Sequence, residues 1–179
     1  MVARILHPGI PAPQHPIRSG ESFMSTLSQI LLSQWQGIRG LTYDYLGQLS
    51  SEQLELRLPF ETSQSLGYQF WCMTGAHESY LRKLETGAWQ GFACSLNGVG
   101  KITPALIGEK MREADERMAE LLAGMDLEKP LPNGQPAYEV VMQMIKHEMH
   151  HHGQLINFLY CHHLPIPASW QDEWALSYD

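Results

Sequence analysis

The 179-residue chain is poor in cysteine, in basic charge and in long apolar runs, and each shortage removes a class of protein. Cys72, Cys94 and Cys161 are odd in number and lack the spacing of a disulfide framework, which fits a reducing compartment. Lys and Arg number 12 against 19 Asp and Glu, a formal net charge of -7, and no basic stripe gathers the cations that nucleic-acid binding requires. No apolar stretch reaches the length of a membrane span. The N-terminal "MVARILHPGIPAPQHPIRSG" is interrupted by proline where a signal peptide needs an unbroken apolar segment, so a cytoplasmic location is expected. Alternating strand patterns and internal repeats are also missing. What is present, 44% hydrophobic and 17% charged residues, describes one packed globular domain.

Prolines 8, 11, 13 and 16 make residues 1–20 an extended arm, because proline fixes its own φ and drives its predecessor out of the helical region. Residues 21–179 then carry four helical patterns. The first runs from about Glu21 to Leu49 on Leu27, Leu31, Ile38, Leu41 and Tyr45. Gly37, Gly40 and Gly47 each weaken it by roughly 1 kcal/mol, so a break near 40–47 is expected. The second, from about Ser65 to Leu84, repeats on Leu66, Phe70, Met73, His77, Leu81 and Leu84. The third opens on the cap pair Thr103-Pro104 and carries an a/d seam, Ile107, Met111, Ala114, Met118, Leu121 and Met125. The fourth spans about Tyr138 to Cys161, and the tail brings Trp170 and Trp174 over one end. The fold class is all-α, a four-helix bundle with long interhelix connections.

Chemistry concentrates in the fourth helix, in "KHEMHHHGQL" (Lys146 to Leu155), where four histidines fall within ten residues. His147 and His151 stand one turn apart on the flank of the apolar stripe, and imidazoles at i, i+4 can reach one ion. They make half a site. The letters also match H-E-x-x-H, with Glu148 as general base of a zinc protease. The further Gly and His of the metzincin pattern are replaced by Gln154 and Asn157, and Glu173 is the only late carboxylate for a third ligand. His150 points away from the pair, His152 lies toward the core, and His162 and His163 are about 16 Å further along the helix.

The pair followed by Gly153-Gln154, together with "SLGYQFWCMTGAHESYLRKL" in the second helix, resembles the DinB superfamily over about residues 21–162. That resemblance implies a four-helix bundle with a divalent metal, Zn or Ni, held by three histidines. It further implies activity of the kind seen in thiol-dependent transferases and an isomerase, with a low-molecular-weight thiol and a small electrophile as substrates. A homodimer is expected. In the aligned second helix the third histidine falls on Cys72. His77, five residues on and rotated by about 140°, competes for the place, so only one of the two can serve. Imidazole chemistry favours His77, which is the preferred third ligand beside His147 and His151, while the alignment favours Cys72, kept as the alternative; each is also a common kind of buried core residue. The loop Gly87 to Ile102 is expected to cover the mouth of the site, with Tyr80, Trp89 and Phe92 as walls. The rival is a non-catalytic, stress-related bundle that binds metal weakly or not at all, and a metalloprotease stands behind both.

Overall fold

The computed structural model describes residues 24–179, so the proline-rich arm lies outside the described residues. Four long helices form the bundle: α1 (Thr26–Leu46), α2 (Leu66–Thr86), α3 (Pro104–Gly124) and α4 (Ala137–His162). A short α5 (Ala168–Trp174) follows, and a single 3-10 turn (Gln53–Glu55) lies between α1 and α2. Each of the first three helices starts on a hydroxyl cap. Ser25 accepts from the Ser28 N–H, Ser65 from Tyr68 and Thr103 from Leu106, each relieving one of the otherwise unbonded donors of a first turn. Gly87 ends α2 in the left-handed region at φ 75°, where a Cβ would be strained.

α1 runs unbroken through Gly37 and Gly40 and ends at Leu46 on the C-cap Gly47, inside the window 40–47 where a break is expected. Trp35, Leu41 and Tyr45 are buried along it, and burial of about 1.5–3 kcal/mol per large apolar side chain outweighs the glycine cost. In α3 the seam is buried from Ile107 to Met118, then passes from Leu121 to Leu122. A straight helix of 3.6 residues per turn drifts about 20° per heptad off a seven-residue repeat, which moves the buried stripe toward the next residue after two heptads.

Two apolar clusters divide the core. One joins the end of α1 (Leu41, Tyr45), the start of α2 (Leu66, Phe70, Met73), the start of α3 (Ile107, Met111) and the end of α4 (Leu155, Phe158, Leu159). The other joins the start of α1, the ends of α2 and α3 and the start of α4. α1 and α4 therefore run one way and α2 and α3 the other. α1 packs on α3 and α4, and so does α2, which sets α1 diagonally from α2.

Because α2 and α3 are parallel, the chain must return along the bundle between them, and residues 87–103 do so against α2. Trp89 stacks near Tyr80, the Ser95 N–H donates to Glu78, and Phe92 packs on Trp71. Phe92 lies so close over Gly75 that a Cβ there would sit 2.4 Å from the ring and 2.7 Å from the Cys94 Cβ. Gly75→Ala should therefore destabilise the fold by about 1–3 kcal/mol, read as a lowered urea midpoint at unchanged slope.

Trp170 of α5 is fully buried and its indole N–H donates to the Leu41 carbonyl, so the tail closes one end of the bundle as expected, with Trp174 beside it. Among the described residues no helix is long and apolar enough to cross a membrane.

Candidate metal centre

Between the two apolar clusters lies a layer of buried polar groups. Arg39 of α1 donates through Nη1 to Glu148 Oε1 at 2.9 Å and through Nη2 to His77 Nδ1 at 3.0 Å, while its guanidinium rests 4.4 Å from the Trp35 ring centroid. Asp115 of α3 faces Arg39 Nε at 3.4 Å and accepts from the Trp35 indole N–H at 2.8 Å and from the Tyr43 hydroxyl at 2.5 Å. The Thr42 hydroxyl donates to Glu148 at 2.5 Å and accepts from His152 Nε2 at 2.8 Å.

Adjacent residues on α4 point about 100° apart, so α4 presents two neighbouring stripes. Glu148, His152 and Leu155 face the core, and His147, His151 and Gln154 face a cleft of about 920 Å³ between α2 and α4. On α2, Gln69 and Cys72 are three residues apart and share the face that meets them. Cys72 Sγ stands 3.7 Å from His147 Nε2, and one ligand atom from each of Cys72, His147 and His151 lies within 4.8 Å of the other two. His151 Nδ1 bonds Gln69 Oε1 at 2.9 Å; that fixes Nδ1 as the N–H and leaves Nε2 free for an ion.

The electrostatics suit neutral ligands. Burial, with the neighbouring His147 and His150, pushes His151 down to about 3, and burial also lowers His147. Burial raises the half-buried Cys72 thiol, so the metal-free site holds a thiol rather than a thiolate. Two imidazoles and one sulfur suit Zn or Ni, whereas Mg and Ca need oxygen donors. The residues fit such an ion.

His77 does not join this group. Its ring is enclosed in the polar layer, 4.5 Å from Trp35 and bonded to Arg39, so the structure brings Cys72, and not the preferred His77, beside His147 and His151. Burial and the Arg39 charge hold its pKa well below the ordinary histidine value. Glu148 is likewise turned into the core and paired with Arg39, away from the cleft, where a protease would need its base.

Two further readings change, those of His150 and of the lid, and His162 stays apart from the pair with a bond of its own. His150 lines the cleft, its ring 5.3 Å from that of His151, instead of pointing away. His162 Nε2 bonds the Arg57 carbonyl at 2.9 Å and so pins the connection between α1 and α2. That connection, through Leu58, Pro59 and Phe60, walls the cleft; the expected lid, residues 87–102, lies on another face of α2, and Tyr80, Trp89 and Phe92 with it. Gln69 was missed by sequence reasoning. Its signal was its place three residues before Cys72 on the same helical face.

The buried neutral histidines have a consequence for folding. Burial holds His152 down to about 4 and His77 also below its ordinary value, while both titrate near 6.5 in the unfolded chain. As pH falls below about 6.5 the unfolded state takes up protons that the folded state refuses, so stability present at neutral pH is lost. The melting temperature should fall steadily from about pH 6.5 to about pH 4, and His152→Gln should flatten part of the slope.

A search of curated proteins finds no match. The model of the DinB family matches residues 24–160, a stretch that takes in α1, α2, α3 and nearly all of α4 and thus every residue of the histidine and cysteine cluster, and the chain belongs to that family.

Proposed function

We propose that the cleft is the active site of a divalent-metal-dependent enzyme that transfers a low-molecular-weight thiol to, or uses it to isomerise, a small electrophile. The convergence of Cys72, His147 and His151 at the floor of an open cleft supports this reading. Three protein ligands leave a coordination position free, the arrangement of catalytic rather than structural sites. A bound Zn or Ni ion supplies Lewis acidity that favours the ionised form of a thiol or of water. Gln69 orients His151, α2 and α4 hold the three ligands on rigid elements, and Leu58, Pro59, Phe60 and Phe158 exclude water from one side of the site. The test is turnover by Zn- or Ni-loaded protein with a thiol and an aryl halide. A carbon–sulfur bond forms, halide leaves, the thiol proton passes to buffer, and product must stop when the metal is chelated. No turnover with any of a panel of thiols and electrophiles, in protein shown to hold metal, rejects the proposal.

One observation favours a second reading. The raised Cys72 thiol is the state of an inert, half-buried cysteine, as a non-catalytic bundle that binds metal weakly would have. Gln69→Leu separates the two. If the ion is functional, loss of the group that orients His151 should weaken metal affinity about 10–100-fold, measured by competition with a chelator.

A further inference from the structure

We infer that the cleft over Cys72, His147 and His151 receives an uncharged ligand with an apolar body and rejects ligands that carry a carboxylate or phosphate. This deepens the metal-dependent reading and rests on it for the thiol end of the ligand. Among the described residues lining the cleft there is no Lys, Arg, Asp or Glu. The apolar and aromatic part of the lining comes from Leu58, Pro59, Phe60, Tyr68 and Phe158.

Neither Arg57 nor Arg39 lines the cleft. Arg57 Nη1 donates to the Ser63 carbonyl at 2.5 Å, and Arg39 is buried against Glu148 and Asp115. Apart from the histidines, the polar groups that face the cleft are amides and hydroxyls. Gln69 is bonded to His151, Asn157 donates to the Gly153 carbonyl, and the Gln154 amide lies beside His151.

An anion placed here loses its water without gaining a counterion, and that cost decides against it. The chain's net charge of -7 adds a repulsive field at long range. The ion would not reverse the balance. A divalent cation held by one thiolate and two neutral imidazoles keeps a single positive charge, which the ligand's own thiolate cancels.

The experiment compares 4-(mercaptomethyl)benzamide with 4-(mercaptomethyl)benzoate, which differ in one remote charge. Both are titrated at about pH 8, where imidazoles are neutral, into Co-loaded full-length protein. Thiolate-to-cobalt absorption reports binding, with one proton released to buffer. The benzamide should bind about tenfold tighter or more, and Asn157→Lys, which places a cation on the exposed wall, should reverse the order. Equal binding, or tighter binding of the benzoate to wild type, overturns the inference and leaves the metal reading standing. Should cobalt fail to bind, the metal reading falls, and the S-methylated pair titrated into metal-free protein decides the charge preference alone. There the benzamide thioether should again bind tighter; equal affinity, or no binding of either, overturns it.

Discussion

Zinc or nickel at a hundred times its dissociation constant should raise the melting temperature of the wild-type chain by roughly 5–10 °C, and that of His147→Ala/His151→Ala not at all. Selective binding to the native state at that concentration contributes about 2.7 kcal/mol. For a domain of this size each kcal/mol moves the midpoint by about 2–4 °C. The native fold brings ligand atoms of Cys72, His147 and His151 within 4.8 Å of one another, whereas the unfolded chain separates Cys72 from the pair by more than seventy residues. Single variants assign the third ligand. Cys72→Ala should shrink the rise, and Cys72→His should restore it, because an imidazole from the same face of α2 replaces the sulfur. His77→Gln should lower the starting midpoint and leave the metal-induced rise intact, since His77 bonds Arg39 in the core. A rise that survives in the double histidine variant would place the ion elsewhere and remove the basis of the proposed chemistry.

The four helices and the histidine pair were legible because both rest on local spacing. Apolar residues at intervals of three and four define a buried stripe whatever it packs against. His147 and His151 share a flank by the same geometry. The choice between Cys72 and His77 was not legible, since it depends on the rotation of α2 about its own axis, which long-range packing sets. Gly75 shows the mechanism. The returning loop lays Phe92 and Cys94 against it, which turns Gln69 and Cys72 toward α4 and His77 toward Arg39. The loop's course along α2 was equally hidden. It follows from α2 and α3 running parallel, a property of the connections and not of any helix. Arg39 in α1 was not singled out, because a lone arginine on a helical pattern gives no sign of the buried partners it meets.

Arg39→Ala should cost about 3–5 kcal/mol and lower the melting temperature by roughly 10 °C, because it leaves Glu148 buried without a counterion. The pair is not itself a source of net stability. Burial raises the Glu148 pKa even though Arg39 and Thr42 pull it down, so desolvation outweighs both. Replacing the whole pair, as Arg39→Met/Glu148→Leu, should accordingly recover most of the loss, within about 1–2 kcal/mol of wild type. In that variant the Thr42 hydroxyl still has the Ile38 carbonyl at 3.5 Å, and Asp115 keeps Trp35 and Tyr43. What the double variant should not recover is metal affinity. Glu148 and His152 are the immediate chain neighbours of His147 and His151, and their bonds to Thr42 and Arg39 fix the rotation of α4 that aims the ligand stripe at Cys72. An apolar pair fills the same volume without fixing that angle. Unchanged metal affinity in a stable double variant would show that packing alone orients α4; a weakened affinity at near-normal stability would assign the buried polar layer to positioning the site.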